Sequence, residues 1–380
     1  MLARDAGRPR LASRPVAGDA CASRSHLAAI AGGVLVLPLH ATLLLSSEVL
    51  AHRTRMKPKS ATMDKQAATP RRPNALGVHS LDRFVFSVPD LAPAERFYHA
   101  FGLDVRRDGD RLDLYTHGHP HCWGSLHADG KPKKLQYLSF GAYDEDFDAL
   151  RRRIDTRGAC APHPLSDGKG VWTRDADGTP IQIVPAAKVS PSTGSQPAES
   201  PPVAPGKGAA PSRSGAPVVR PRRLSHVLLF TPDVFLQTAF YADVLGLRLS
   251  DRSADIIAFM HGPHSSDHHL VAFAKSNAPG FHHSSWDVAS IDEVGLGAEQ
   301  IKAQGYVKGW GVGRHVLGSN YFYYAQDPWG SWAEFSYGID FVPVDVEWPA
   351  ADHPAEDSFY VWGPTVPDDF IVNHEQPAHA

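Results

Sequence analysis

LDRFVFSVPDLAPAERFYHAFGLDV at residues 81–105 and LSHVLLFTPDVFLQTAFYADVLGLRL at residues 224–249 are two writings of one pattern. Each opens with an alternating apolar strand and turns at Pro-Asp. Each then runs through a helical spacing ending in Phe-Tyr and re-enters a strand after Phe/Leu-Gly-Leu. The correspondence continues downstream. LQYLSFGAYDEDFDALRRRI (135–154) answers FHHSSWDVASIDEVGLGAEQI (281–301), and RDADGTPIQIVP (174–185) answers QDPWGSWAEFSY (326–337). A strand, a helix and several strands, written twice per block, predict an α+β chain of two tandem barrel-like domains, each built from paired βαβββ modules.

The rest of the 380 residues falls around these blocks. Residues 1–75 read as an N-terminal extension, with an Arg-rich start and an apolar run from Leu27 to Leu45 broken by Gly32, Gly33, Pro38 and His40. That run leaves a membrane span or an export signal open; translation from Met56 or Met63 would remove it, and a cytoplasmic enzyme is the expectation. Globular composition holds over 76–187. It gives way at 188–221 to a Pro/Ser/Ala-rich segment with too little apolar surface to fold, read as a flexible linker. A second globular block covers 222–341, and residues 342–380 form a tail rich in Pro, Asp and aromatics.

Charge and cysteine content narrow the function. The net charge of −3 conceals twelve Lys/Arg against four Asp/Glu in residues 1–72, so the remainder carries −11. An acidic body argues against nucleic acid as a partner. Three cysteines, Cys21, Cys122 and Cys160, build neither a disulfide framework nor a paired-cysteine zinc site. Histidine is the abundant chemistry-bearing residue: 21 in all, eight of them between His226 and His315.

Where the two copies differ, the difference is chemical. His226 stands opposite Arg83, His283 opposite Tyr137 and Glu334 opposite Gln182. The first copy folds without those side chains, so the second does not need them for folding. A lone strand histidine is usually a hydrogen-bonded structural residue. Three such changes at equivalent strand positions point instead to a shared ligand, because two neutral imidazoles and one carboxylate form the facial set that suits non-haem Fe(II). Strand alternation places His226 on one face with Leu228 and Phe230, and predicts that His282 and His283 point opposite ways.

Over residues 76–340 the chain resembles the type I extradiol (catechol 2,3-dioxygenase-like) ring-cleaving dioxygenases of the vicinal oxygen chelate superfamily, whose domains have a glyoxalase-like fold. The segment GRHVLGSNYFYYAQDPWGSWAE carries the most specific part of the likeness, through His315, Tyr324, Asp327, Pro328, Gly330 and Glu334. The resemblance implies His226, His283 and Glu334 as ligands of Fe(II), with Mn(II) using the same set, and a first domain without metal. It implies His269 as the acid–base residue, and His315 and Tyr324 as hydrogen-bonding partners of the substrate. Tyr323 stands where an aliphatic residue is usual. The segment between His269 and His283 is one residue short, which leaves His268 a contender for the acid–base role. The implied reaction inserts both atoms of O2 into a catechol in aromatic catabolism. Catechol, alkylcatechols and 2,3-dihydroxybiphenyl-type diols all remain open as substrates, and a homo-oligomer of open size is expected.

Two other readings share the scaffold. A 4-hydroxyphenylpyruvate-dioxygenase-like enzyme would keep the metal set and use an α-keto acid, without the His269, His315 and Tyr324 group. A drug-sequestering, non-catalytic member would bind an aromatic and lack the metal residues. His261, His264 and His282 are read as residues without a role, the first two in a loop. Phe281 and Tyr321, with some of the late tryptophans, are expected to shape an apolar pocket, and the acidic tail to fold over its mouth.

Overall fold

The computed structural model describes residues 71–198 and 202–375; the apolar run 27–45 and nearly all of the expected extension lie outside them. The first block forms β1 (Ser80–Val88), α1 (Leu91–Phe101), β2 (Asp104–Asp108), β3 (Arg111–Tyr115), β4 (Cys122–Ala128), β5 (Lys134–Ala142), α2 (Asp144–Arg157), β6 (Val171–Arg174) and β7 (Pro180–Pro185). Its strands lie in the order β2-β3-β4-β1-β5-β7-β6. The second block forms β8 (Arg223–Thr231), α3 (Val234–Leu245), β9 (Arg248–Ser253), β10 (Ile257–His261), β11 (Ser266–Asp267), β12 (Val271–Lys275), β13 (Gly280–Asp287), α4 (Ile291–Ala303), β14 (Gly309–His315), β15 (Tyr321–Gln326) and β16 (Trp332–Tyr337). After it come β17 (Phe341–Val342), β18 (Ala351–Asp352) and β19 (Tyr360–Trp362). Ten strands share one sheet in the order β18-β9-β10-β12-β8-β13-β16-β15-β14-β19. The chain is therefore α+β, with its modules joined in each sheet by an antiparallel central pair, β1 with β5 and β8 with β13.

The repeated motif has a local cause. The Asp of each Pro-Asp caps a helix: Asp90 accepts from the Ala92 amide and Asp233 from the Leu236 amide. The Gly of each Phe/Leu-Gly-Leu ends that helix in the left-handed region, at φ +99° for Gly102 and +74° for Gly246. One module departs from expectation. After α2 only two strands follow, because residues 159–170 lack an apolar alternation and contribute just the isolated bridge Ala159–Thr173.

The two sheets share a core. Helix α1 packs on α4 and α2 on α3. Phe101 stacks on Phe335 at 3.9 Å, and Phe86 meets Phe281 edge-on at 4.7 Å. Phe281 is thus an interdomain core residue and not a pocket wall, and Tyr321 stacks on Tyr337 away from the cavity. The described part of the Pro/Ser/Ala-rich segment carries one 3-10 turn, Arg213–Gly215, and residues 202–215 are largely exposed, but both ends of the segment are pinned. The Ser190 hydroxyl donates to the His79 carbonyl, Ser195 donates to Asp287, and the Val219 amide donates to Gln300. The tail is also held down, β18 pairing with β9 and β19 with β14. No helix among the described residues is long and apolar enough to cross a membrane.

Lys133 of the first block and Asp327 of the second form a buried ion pair at 2.5 Å. Asp327 also accepts from the Trp329 and Ser331 amides, which shapes the turn before β16. Removing the cation strands a buried carboxylate, so Lys133→Met is expected to lower unfolding free energy by about 3–5 kcal/mol, read from denaturant melts of the two proteins.

Candidate active site

Three adjacent strands bring the predicted donors together. Ser285 of β13 pairs in register with His226 on β8 and with Glu334 on β16, so these three residues form one rung. His283, two residues before Ser285, projects to the same face. The matching rung in the first sheet is Arg83–Ser139–Gln182, which verifies the repeat alignment residue by residue. There the place is filled: the Trp172 ring lies 5.0 Å from that of Tyr137, and Gln182 donates to the Lys169 carbonyl.

In the second sheet the donors converge. His226 Nε2 lies 3.3 Å from His283 Nε2 and 3.5 Å from Glu334 Oε2, and the remaining side of the triangle is 3.8 Å. Donors bonded to one octahedral ion at about 2.1 Å stand about 3.0 Å apart when cis, so a small inward movement seats a cation. The electrostatics call for one. Glu334 is fully buried; its Oε1 accepts from Asn320 Nδ2 at 3.0 Å, and its Oε2 has no hydrogen-bond partner. Burial pushes its carboxyl up to about 8, against the pull of polar neighbours that include Asn320. Burial, reinforced by the neighbouring imidazoles, holds His226 and His283 well below the ordinary histidine range. Two neutral nitrogens and an acid oxygen without a partner are the donor set of a divalent transition metal. Among the described residues, His226, His283 and Glu334 are the group placed to hold an ion.

The other predicted residues ring this triangle. His269 lines the cavity with its ring 3.9 Å from that of His226, whereas His268 lies behind it, hydrogen-bonded to Asp251. Burial, and then His268 and His315, keep His269 far below its ordinary value. Tyr324 pairs across the strands with Glu334 and faces the cavity. Tyr323 faces away, under Lys302 of α4, so the hydroxyl at the site is that of Tyr324. His315 Nδ1 meets the Phe359 carbonyl at 3.0 Å and must donate to it, so His315 Nε2 accepts the Tyr324 hydroxyl at 2.9 Å. Burial lowers His315 to about 4 and raises Tyr324 well above 10.

Several expectations need correction. His282 does not point away from His283. A bulge at 281–283 turns both rings to the cavity side, with their Nδ1 atoms 2.7 Å apart. His261 ends strand β10 and is bonded to Ser250, and His264 is buried against Tyr143. The cavity, about 310 Å³, takes its aromatic walls from Phe230, Phe259, Phe359 and Phe370, the last two from the tail. Phe359 and Phe370 escaped the sequence comparison because the tail has no counterpart in the first block, and Asn320 escaped it because it sits in the turn between β14 and β15, outside the aligned strands. The signal for Asn320 was the Gly318-Ser319 turn: Gly318 has φ +88°, and a Cβ there would stand 3.4 Å from the His269 ring.

Residues 223–335 match the family model of the Glyoxalase/Bleomycin resistance protein/Dioxygenase superfamily. The chain is 50% identical over 311 residues to Metapyrocatechase 2 of Cupriavidus necator, an alignment covering 81% of this chain and 95% of the relative. It is 33% identical over 147 residues to Biphenyl-2,3-diol 1,2-dioxygenase of Metapseudomonas furukawaii, covering 37% and 46% of the two chains. An extradiol ring-cleaving dioxygenase from B. fuscum superposes with a TM-score of 0.62 at 19% identity, over 80% of this chain and 83% of that one. Fold and relatives together define a vicinal oxygen chelate protein. Within that superfamily the chain belongs to the extradiol dioxygenases, enzymes that open the ring of aromatic diols.

A protonated Glu334 must lose its proton to bind a cation. Metal affinity of the metal-free protein is therefore expected to fall about tenfold per pH unit as pH drops below about 8, and to level off above it. Competition with a chromogenic chelator across pH measures the slope.

Proposed function

We propose that His226, His283 and Glu334 hold Fe(II), and that the centre cleaves a catechol carrying an apolar substituent, with both atoms of O2 entering the product. The observation that carries this reading is the unpartnered Oε2 of Glu334, facing two imidazole nitrogens on the floor of an apolar cavity. Mn(II) fits the same donors; two imidazoles and a carboxylate with open positions favour iron in oxygen chemistry. The bound ion supplies Lewis acidity toward the diol and one-electron exchange with O2.

The chain's own residues do the rest. His269 takes the proton of a substrate hydroxyl through the nitrogen facing the cavity and returns it later in the turnover. The Tyr324 oxygen, its hydrogen committed to His315, keeps lone pairs to accept from the diol. Asn320 holds Oε1 of Glu334 and so aims Oε2 inward. Walls of Leu228, Ile257, Phe259 and Phe370 exclude water, which strengthens each of these polar contacts.

Cavity chemistry also supports a substrate class. Among the described residues, the one side-chain ammonium that lines it, Lys275, is at the rim and paired with Asp255 at 2.7 Å. Nothing there compensates a buried substrate carboxylate, whereas an alkyl or aryl group would meet Phe230, Ile257 and Phe359. Alkylcatechols and 2,3-dihydroxybiphenyl-type diols fit this description.

Protein loaded anaerobically with ferrous iron and then given air should consume O2 and form a coloured ring-opened product from such diols. The specificity constant for a carboxylated catechol should be at least about tenfold lower; preference for the carboxylated diol overturns the substrate class. His226→Ala and Glu334→Ala should lose both iron and turnover. His269→Ala should keep iron and lose about 10²–10⁴ in kcat, and loss of iron in that variant overturns the division of roles.

A further inference from the structure

The second block contains two His-His pairs, 268–269 and 282–283, and both are built alike. In each the neighbours touch through their Nδ1 atoms, at 3.1 Å for His268 and His269 and 2.7 Å for His282 and His283. The first ring of each pair then reaches an oxygen with its Nε2. His268 meets Asp251 Oδ2 at 2.8 Å and His282 meets the Phe370 carbonyl at 2.7 Å. Consecutive strand residues ordinarily face opposite sides. The bulge that breaks this rule at His282 belongs to the scaffold, since the first sheet skips Gln136 in the same way. Gln136 spends its amide on Ser87; only the second copy places an imidazole there.

The proton positions follow from which atoms can only accept. The Phe370 carbonyl has no proton to give. Asp251, though burial acts to raise it, is held below the ordinary carboxylate range by hydrogen bonds from His268, His353 and Trp348, so it too accepts. The proton on the first ring therefore sits on Nε2. A neutral ring protonated at Nε2 has a bare Nδ1. That Nδ1 is a partner for its neighbour only if the neighbour carries its own proton on Nδ1. The neighbour's Nε2 is then left unprotonated.

We propose that His268 and His282 are positioning residues that hold His269 and His283 in the Nδ1–H tautomer, so that His269 presents a bare Nε2 to the substrate and His283 a bare Nε2 to the metal. This rests on the roles proposed above for His269 and His283. One pair prepares a base and the other a ligand by the same device, and each is anchored by an oxygen that accepts from the first ring. Asp251 also binds Trp348 and His353, and Phe370 belongs to the tail, so both anchors tie the locks to the C-terminal segment.

Asparagine can offer an oxygen near the place of Nδ1, whereas leucine offers none, and the two substitutions separate the lock from simple packing. His282→Leu should weaken metal binding by about 10–100-fold in chelator competition, and His282→Asn should stay near wild type. His268→Leu should bind metal as wild type does and lose about 10–100-fold in kcat with little change in KM, while His268→Asn retains most of the rate. Nitrogen-15 spectra of histidine-labelled metal-free protein should show His269 protonated at Nδ1, and at Nε2 in a growing fraction of molecules in His268→Leu. Wild-type behaviour of the leucine variants, or equal damage from leucine and asparagine, overturns the proposal. Its failure is distinct from failure of the underlying roles, which would show as His269→Ala turning over normally or His226→Ala retaining iron.

Discussion

One carboxylate oxygen, Oε2 of Glu334, lies in a fully buried position with no donor to satisfy it. A buried charge is tolerated only when it is paired, and the hydrogen bond from Asn320 satisfies only the other oxygen of this carboxylate. Asn320 occupies Oε1, two imidazoles kept neutral by burial face Oε2, and apolar walls keep bulk water from substituting for a cation. The rest of the site can be understood as what is needed to hold a divalent ion against this group while leaving room for reactants.

Rigid placement of that carboxylate comes from both halves of the molecule. Phe335, next to Glu334 on β16, points to the opposite face and stacks on Phe101 of α1. Lys133 grips the turn that leads into the same strand. The first block thus adds no side chain to the triangle of His226, His283 and Glu334 and still sets where Glu334 lies. Its own equivalent rung, filled by Arg83, Tyr137, Gln182 and the Trp172 ring, shows how little separates a site from a core: substitutions at equivalent places of one sheet.

The C-terminal segment completes the chamber. Phe359 and Phe370 add walls, and the carbonyls of the same two residues accept from His315 and His282. A backbone carbonyl can only accept, so each holds the proton of its imidazole on the nitrogen that faces it. The segment that closes the cavity therefore also sets proton positions around it.

The repeat, the α+β class and the three residues that converge at the floor of the cavity were legible in the sequence, since strand alternation and a duplicated pattern are local properties that survive in one dimension. Comparing the copies exposed His226, His283 and Glu334 because each stood against a residue with different chemistry. That comparison had no purchase where there was no second copy, so Phe359, Phe370 and the tail's acceptors were invisible to it. Alternation also gave the wrong face for His282, because a bulge breaks the period of two and is fixed by cross-strand pairing. Which of His268 and His269, and which of Tyr323 and Tyr324, faces the cavity likewise belonged to the tertiary structure, because adjacent residues of the same type differ only in which way they point. Residue chemistry was written in the chain; direction was decided by the packing of strands against one another.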